Sequence, residues 1–408
     1  MKKIIALLLV VVMVAALFVG CESSTNETTA PAGNKTETKA NAGTETKANA
    51  ETQAPETKAP DAKDDGMKVA MVTDYGDITD ESFNQATYEG AKAWSQDNGV
   101  KFTYYKPTGD STEARVAAIE KAIDEGYNVI VMPGFAFAGA IVETVEKYPD
   151  VKFIALDVSE YDLQDANGTA ADFSWQYPSN LYSAVYQEEL AGYMAGVAAV
   201  KLGYTKLGFL GGMAVPAVVR YGYGFVQGVN DAAKELGVTD KIELKYVYGN
   251  QFSGDADITA YMDTWYKDGT EVVFACGGAI YTSAKEAAAK VGGKVIGVDV
   301  DQAPIIGAEM TVTSAMKGLS ATVKTLLTQV KDGKFQGGKV ETLGLISTTP
   351  TENYVQLPAS TQWAEGKFTE ADYNALVAAL FDGSIKVSAA TDAEPTVEIA
   401  VEYQGNIK

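Results

Sequence analysis

Histidine is missing from all 408 residues. Its absence removes Ser-His-Asp and Cys-His catalysis, the zincin motifs and the commonest metal ligand together, and with them most hydrolase readings. Cysteine is nearly as scarce, since only Cys21 and Cys276 occur. If Cys21 is consumed by modification, no intramolecular disulfide can form, and stability has to come from core packing. Positive charge is also short: 33 Lys and Arg stand against 54 Asp and Glu, a net charge of −21. A nucleic-acid partner needs a basic footprint for its phosphates, so this balance argues against one.

What is present begins at the N-terminus. Lys2 and Lys3 precede an apolar run from Ile4 to Val19 that is interrupted by Gly20-Cys21, the charged start and short hydrophobic stretch of a secretory signal. Leu17-Phe18-Val19-Gly20-Cys21 resembles a bacterial lipobox. That resemblance implies a signal peptide over 1–20, acylation of Cys21 and attachment to the extracytoplasmic face of the cell membrane. Residues 22–66 are dominated by Thr, Ala, Lys, Glu, Asn and Pro, too poor in apolar side chains to offset chain entropy. They read as a tether.

Chains longer than roughly 250 to 300 residues divide into more than one core, so two lobes are expected. From Met67 onward, short β-branched runs alternate with helical patterns, the signature of βαβ units and a parallel sheet. Strands are predicted at 68–73, 101–105, 129–132 and 152–156. A helix over 82–97 carries Phe83, Ala86, Gly90, Ala91 and Trp94 at helical spacing, and Asp110 with Glu113 reads as a capping box for the next helix. After a long helix around 190–200 the alternation restarts, with strands at 206–210, 242–248, 272–275 and 295–298 and helices at 222–236, 256–267 and 280–290. The prediction is an α/β protein of two doubly wound, Rossmann-like lobes joined by a hinge. The first covers 67–184, with about 303–340 returning to it, and the second covers 185–302, with about 341–408 returning.

Open α/β sheets place their ligands at the carboxyl ends of the strands. That rule selects Asp74 to Asn84, Pro133 to Phe137, Gly211 to Tyr221, Gly277-Gly278 and Asp299 to Gln302. Within these segments Val72-Thr73-Asp74-Tyr75-Gly76-Asp77-Ile78-Thr79-Asp80-Glu81-Ser82-Phe83-Asn84-Gln85 resembles the first-strand signature of the basic membrane lipoprotein family, substrate-binding proteins of ABC importers with a purine-nucleoside branch. Gln187-Glu188-Glu189, Gly208 to Met213, Gly297 to Gln302 and Thr313 to Lys317 resemble later family blocks in the same order.

The resemblance implies a type I periplasmic-binding-protein fold, no enzymatic activity, no cofactor or metal, a monomer, and ABC permease subunits as partners. It places a purine between Phe83 and Tyr221, the base edge on Asp74 and Asn84, and the ribose on Asp299, Lys317 and the backbone of Gly277. Tyr221 stands where the family carries Phe, which keeps the stacking face and adds a hydroxyl in need of a partner. Asp299 and Lys317 are read as one ribose clamp, with Lys317 left unpaired without Asp299.

Three rival readings remain open on sequence alone. A receptor of the same fold could take a sugar or another small polar metabolite. The Asp299-Val300-Asp301 pair invites a metal-dependent nucleoside hydrolase, although such sites need several converging oxygen ligands, and Asp301 reads as facing the opposite way or capping a helix. The repressor branch of the fold carries a helix-turn-helix before its first strand, where this chain has a lipobox and a polar linker.

Overall fold

The computed structural model describes residues 66–407. The expected signal peptide, Cys21 and nearly all of the tether lie outside the described residues. The first lobe begins with β1 (Lys68–Val72), α1 (Phe83–Asp97), β2 (Lys101–Tyr105), α2 (Thr112–Asp124), β3 (Val129–Pro133), α3 (Ala138–Thr144), β4 (Lys152–Leu156), α4 (Glu160–Ala166) and β5 (Leu181–Tyr186). Its inner strands are mostly apolar and buried, apart from the leading Lys68 and Lys152 and from Ser183, because helices cover both faces of the sheet. The second lobe repeats the plan with α5 (Glu188–Leu202), β6 (Lys206–Gly211), α6 (Pro216–Leu236), β7 (Glu243–Tyr248), α7 (Ala256–Lys267), β8 (Val272–Cys276), α8 (Tyr281–Ala289), β9 (Lys294–Asp299), the short α9 (Ala303–Ile306) and β10 (Thr311–Lys317).

The chain then returns to the first lobe as α10 (Leu319–Lys331) and β11 (Lys339–Leu343). It ends on the second with β12 (Val355–Gln356), α11 (Glu370–Phe381) and β13 (Ala400–Asn406). The sheet orders are β11-β5-β4-β3-β1-β2 and β12-β10-β9-β8-β6-β7-β13. Every strand pair is parallel except β10 with β12. The return to the first lobe therefore comes later than the expected residue 303: β10 pairs with β9 from Thr311 to Met316, and only after Gly318 does the chain cross. Polar Thr and Ser residues in β10 mask its strand character in the sequence. The capping expectation also changes, since Ser111, not Asp110, accepts from the Ala114 N–H, while Asp110 pairs with the buried Arg115.

The three crossings are tied together. Gln187 N–H donates to Leu343 O at 2.9 Å, Gly318 N–H to Tyr354 O at 2.7 Å, and Tyr354 N–H to Gly344 O at 3.0 Å. Behind them α5 is buried almost all round and packs on α6 with backbone-to-backbone closeness. A Cβ on Gly192 would lie 2.0 Å from Tyr221 O, and one on Gly224 would lie 2.1 Å from Glu189 O. The glycines of 222–228 thus serve packing, and the contact at Gly192 sets the position of Tyr221.

Candidate functional site

Both sheets reverse their winding between the first and third strands of the repeat, β1/β3 and β6/β8, and the loops there face one another across the crevice. Between them lies a cavity of about 660 Å³. Asp74, Phe83, Asn84, Tyr221, Gly277, Asp299 and Lys317 all line it, although they come from six separate segments of the chain.

In the first lobe, Asp74 follows β1, and its Oδ1 accepts from Gly76 N–H at 2.6 Å. Burial pushes its carboxyl up to about 6, against the pull of that N–H, the Asn84 amide and Arg115. Phe83 and Asn84 open α1. Asp80 supplies the cap of that helix by accepting from the N–H groups of Ser82, Asn84 and Gln85 at 2.9, 2.9 and 3.0 Å. With capping provided by Asp80, the Ser82 hydroxyl is free to donate across the crevice to Asp299 Oδ2 at 2.6 Å. Gln302 Nε2 likewise donates to Glu81 O at 2.9 Å, so the two lobes touch.

In the second lobe, Tyr221 is not in a loop before its helix, as the sequence suggests, but on the second turn of α6. That helix starts six residues earlier than predicted, at Pro216, whose fixed φ suits a first turn. Tyr221 hydroxyl finds its partner in Asp299 Oδ1 at 3.4 Å. Asp299 ends β9 with φ 63°, and burial raises its carboxyl. Gly277, at φ 136°, and Gly278 leave room for Phe252: a Cβ on Gly277 would come within 2.8 Å of that ring. Phe252 in turn stacks on Tyr75 of the first lobe, with centroids 6.1 Å apart. Asp301 accepts from Ala303 N–H at 3.1 Å and so caps α9.

Lys317 corrects the clamp expectation. Its ammonium binds Asp157 Oδ2 at 2.5 Å and Glu188 Oε1 at 3.0 Å, and Asp299 acts on it only as a further nearby charge. Burial alone would lower the lysine, but the three carboxylates hold it above its ordinary value. Burial would raise Glu188 too, yet Lys317 and Arg220 together keep it low, and Arg220 Nε donates to Glu188 Oε2 at 2.6 Å. Asp157 is the carboxyl left over: burial, reinforced by Glu188, pushes it up to about 6 against the pull of Lys317. Sequence reasoning missed Asp157 and Glu188 as neighbours of the site, and had Arg220 only as part of the strand-end segment Gly211 to Tyr221. Asp157 could have been found, because it directly follows the predicted strand 152–156. The Lys317 ammonium also stands 5.0 Å from the Phe83 ring centroid, 5.2 Å from that of Tyr186 and 5.6 Å from that of Tyr221, so rings from both lobes approach a single group.

Residues 67–358 match the family model described as ABC transporter substrate-binding protein PnrA-like, or Bmp. The chain belongs to this family. Among its curated relatives is an ABC transporter nucleoside-binding protein, BmpA, of Lactococcus lactis, 28% identical over 336 residues that cover 74% of this chain and 88% of that protein. A CD4+ T-cell-stimulating antigen of Listeria monocytogenes is 28% identical over 294 residues, 67% of this chain and 76% of the antigen. Among solved structures, a solute-binding protein of an ABC transporter system from Aeropyrum pernix superposes with a TM-score of 0.64 at 20% identity, covering 80% of this chain and 94% of that one. That likeness establishes the type I periplasmic-binding-protein fold. Family membership carries a small-molecule ligand and transporter permease subunits as partners. Among the described residues, no helix is long and apolar enough to cross a membrane.

Proposed function

We propose that this Bmp-family protein captures a purine nucleoside by lobe closure and delivers it to an ABC importer from a lipid anchor on Cys21. The observation that carries the reading is that Phe83 from one lobe and Tyr221 from the other line one cavity and both approach the Lys317 ammonium. Base-on-aromatic stacking contributes about 1 to 3 kcal/mol per face, and two faces from opposite lobes stabilise the closed state together. Asp74 and Asn84 offer polar groups to the edge of a base, while Asp157, Asp299 and Lys317 suit the hydroxyls of a ribose. The nucleoside-binding relative supports the same ligand class.

Calorimetric titration with inosine, guanosine, adenosine, free purines, ribose and hexoses tests the ligand. Nucleosides should bind tightly, and Tyr221→Ala should weaken them by more than tenfold, on the order of one lost stacking face. Tight binding of a hexose without nucleoside binding would favour the sugar-receptor reading, and release of free base from inosine would favour a hydrolase. Metabolic labelling with a fatty acid, lost in Cys21→Ser, tests the anchor.

A further inference from the structure

The two ends of the Asn84 amide are not interchangeable. Its Nδ2 lies 3.3 Å from Asp80 Oδ2. A Cβ on Gly76 would come within 2.2 Å of that nitrogen and 3.0 Å of Asp74 Oδ1, so the amine end is turned to a wall made by Asp80, Gly76 and Asp74. Turning the amide over would set its carbonyl oxygen against the Asp80 carboxylate, lone pair against lone pair. Asp80 cannot move to relieve this, because the first N–H groups of α1 hold both its oxygens. The other end of the amide, Oδ1, is buried without a partner, in a side chain that is 5% exposed and lines the cavity. A buried acceptor in that state gains from any N–H brought to it. The Asp74 carboxylate, which lines the same cavity, is an acceptor as well.

We infer that Asp80 is a positioning residue that fixes Asn84 as a hydrogen-bond acceptor next to the Asp74 carboxylate, and that this acceptor pair selects a base carrying two adjacent N–H donors, the 2-amino-6-oxopurine of guanosine. The inference rests on the purine-nucleoside reading above. Guanine presents N1–H and the 2-amino group side by side. Hypoxanthine has the N1–H but only a C–H at position 2, which leaves one acceptor unmet. Adenine presents a bare N1, which meets a carboxylate lone pair to lone pair.

Calorimetry at pH 7.5 on the full chain with guanosine, inosine and adenosine tests the inference. The parent should bind guanosine about tenfold tighter than inosine, the worth of one good hydrogen bond, with adenosine weakest. In Asp80→Asn the new amide can donate to Asn84 Oδ1 and let that side chain turn over, so the guanosine-to-inosine ratio should fall to within about threefold. A purely structural role for Asp80 would weaken all three nucleosides alike and leave the ratio intact. Asn84→Leu keeps the helix cap and provides the same readout should Asp80→Asn fail to fold; there too the ratio should collapse. Equal binding of inosine and guanosine by the parent, or an unchanged ratio in a folded variant, overturns the inference and leaves the nucleoside reading standing. Failure of all three nucleosides to bind overturns both.

Discussion

Asp157 and Asp299 hold equivalent places in the two lobes. Each follows or ends the fourth strand of its repeat, β4 and β9, and each adopts left-handed backbone geometry, with φ 61° and 63°. Non-glycine residues pay for that conformation, and it clusters at functional sites. Here it turns both carboxylates toward the crevice, where Lys317 sits between the lobes with Asp157 in direct contact and Asp299 close by.

The Asp299 carboxylate is also the acceptor for Ser82 from the opposite lobe. Asp299→Ala should therefore weaken nucleoside binding by about 2 to 3 kcal/mol, the loss expected for hydrogen bonds to a charged group, as measured by calorimetry. Because Asp157 and Glu188 still hold Lys317, the loss of stability should be limited to the Ser82 and Tyr221 hydroxyls left without this acceptor, about 1 to 3 kcal/mol. A large drop in stability would mean that Asp299 is a principal partner of the ammonium.

Lys317→Met has the opposite profile. It removes the cation between two buried carboxylates, Asp157 and Glu188, and leaves only Arg220 to neutralise them. Breaking a buried pair from one side costs about 3 to 5 kcal/mol, so chemical denaturation should show a loss of that order even without ligand.

On the proposed function, Asp74 links ligand binding and stability to pH. Its carboxyl titrates near 6 in the folded chain against an ordinary 3.8, so between those values the folded state holds more protons than the unfolded one. Stability from this group is then greatest below pH 3.8 and declines as pH rises through 6. Asp74→Asn should raise the stability of the ligand-free protein at pH 7 by roughly 3 kcal/mol, the free-energy equivalent of that shift, with the gain gone near pH 3.5. Nucleoside affinity in the parent should fall as pH drops through 6, since protonation removes the negative charge and turns one acceptor oxygen into a donor. Denaturation and titration curves across pH 3.5 to 8 check both signs.

Gly224→Ala runs against ordinary helix propensity. In an open helix the change stabilises by roughly 1 kcal/mol, but here the added methyl would lie 2.1 Å from Glu189 O, a backbone atom of α5 that cannot swing aside. The variant should melt below the parent, and Gly237→Ala, whose Cβ meets nothing within 4 Å but whose φ is 65°, gives a control for strain without a clash.

Much of the architecture was legible in the chain. Lys68–Val72, Val129–Pro133, Lys152–Leu156 and Val272–Cys276 are apolar enough to announce strands buried on both faces. The polar residues after such strands announced most of the crevice. Strands such as β10, with Thr311, Thr313 and Ser314, and the edge strands β11 and β13 lack that pattern, because their partners and not their side chains hold them in the sheet.

By itself the sequence determined the class of fold, the repeated alternation and the residue types available to a ligand, because hydrophobic period and strand-end chemistry are local properties. Only the tertiary structure decided that Lys317 belongs to Asp157 and Glu188, that Ser82 reaches Asp299, and which end of Asn84 is left to accept. Those facts depend on contacts between residues more than 100 positions apart, or on which of two similar atoms a neighbouring carboxylate can tolerate. Neither follows from spacing along the chain.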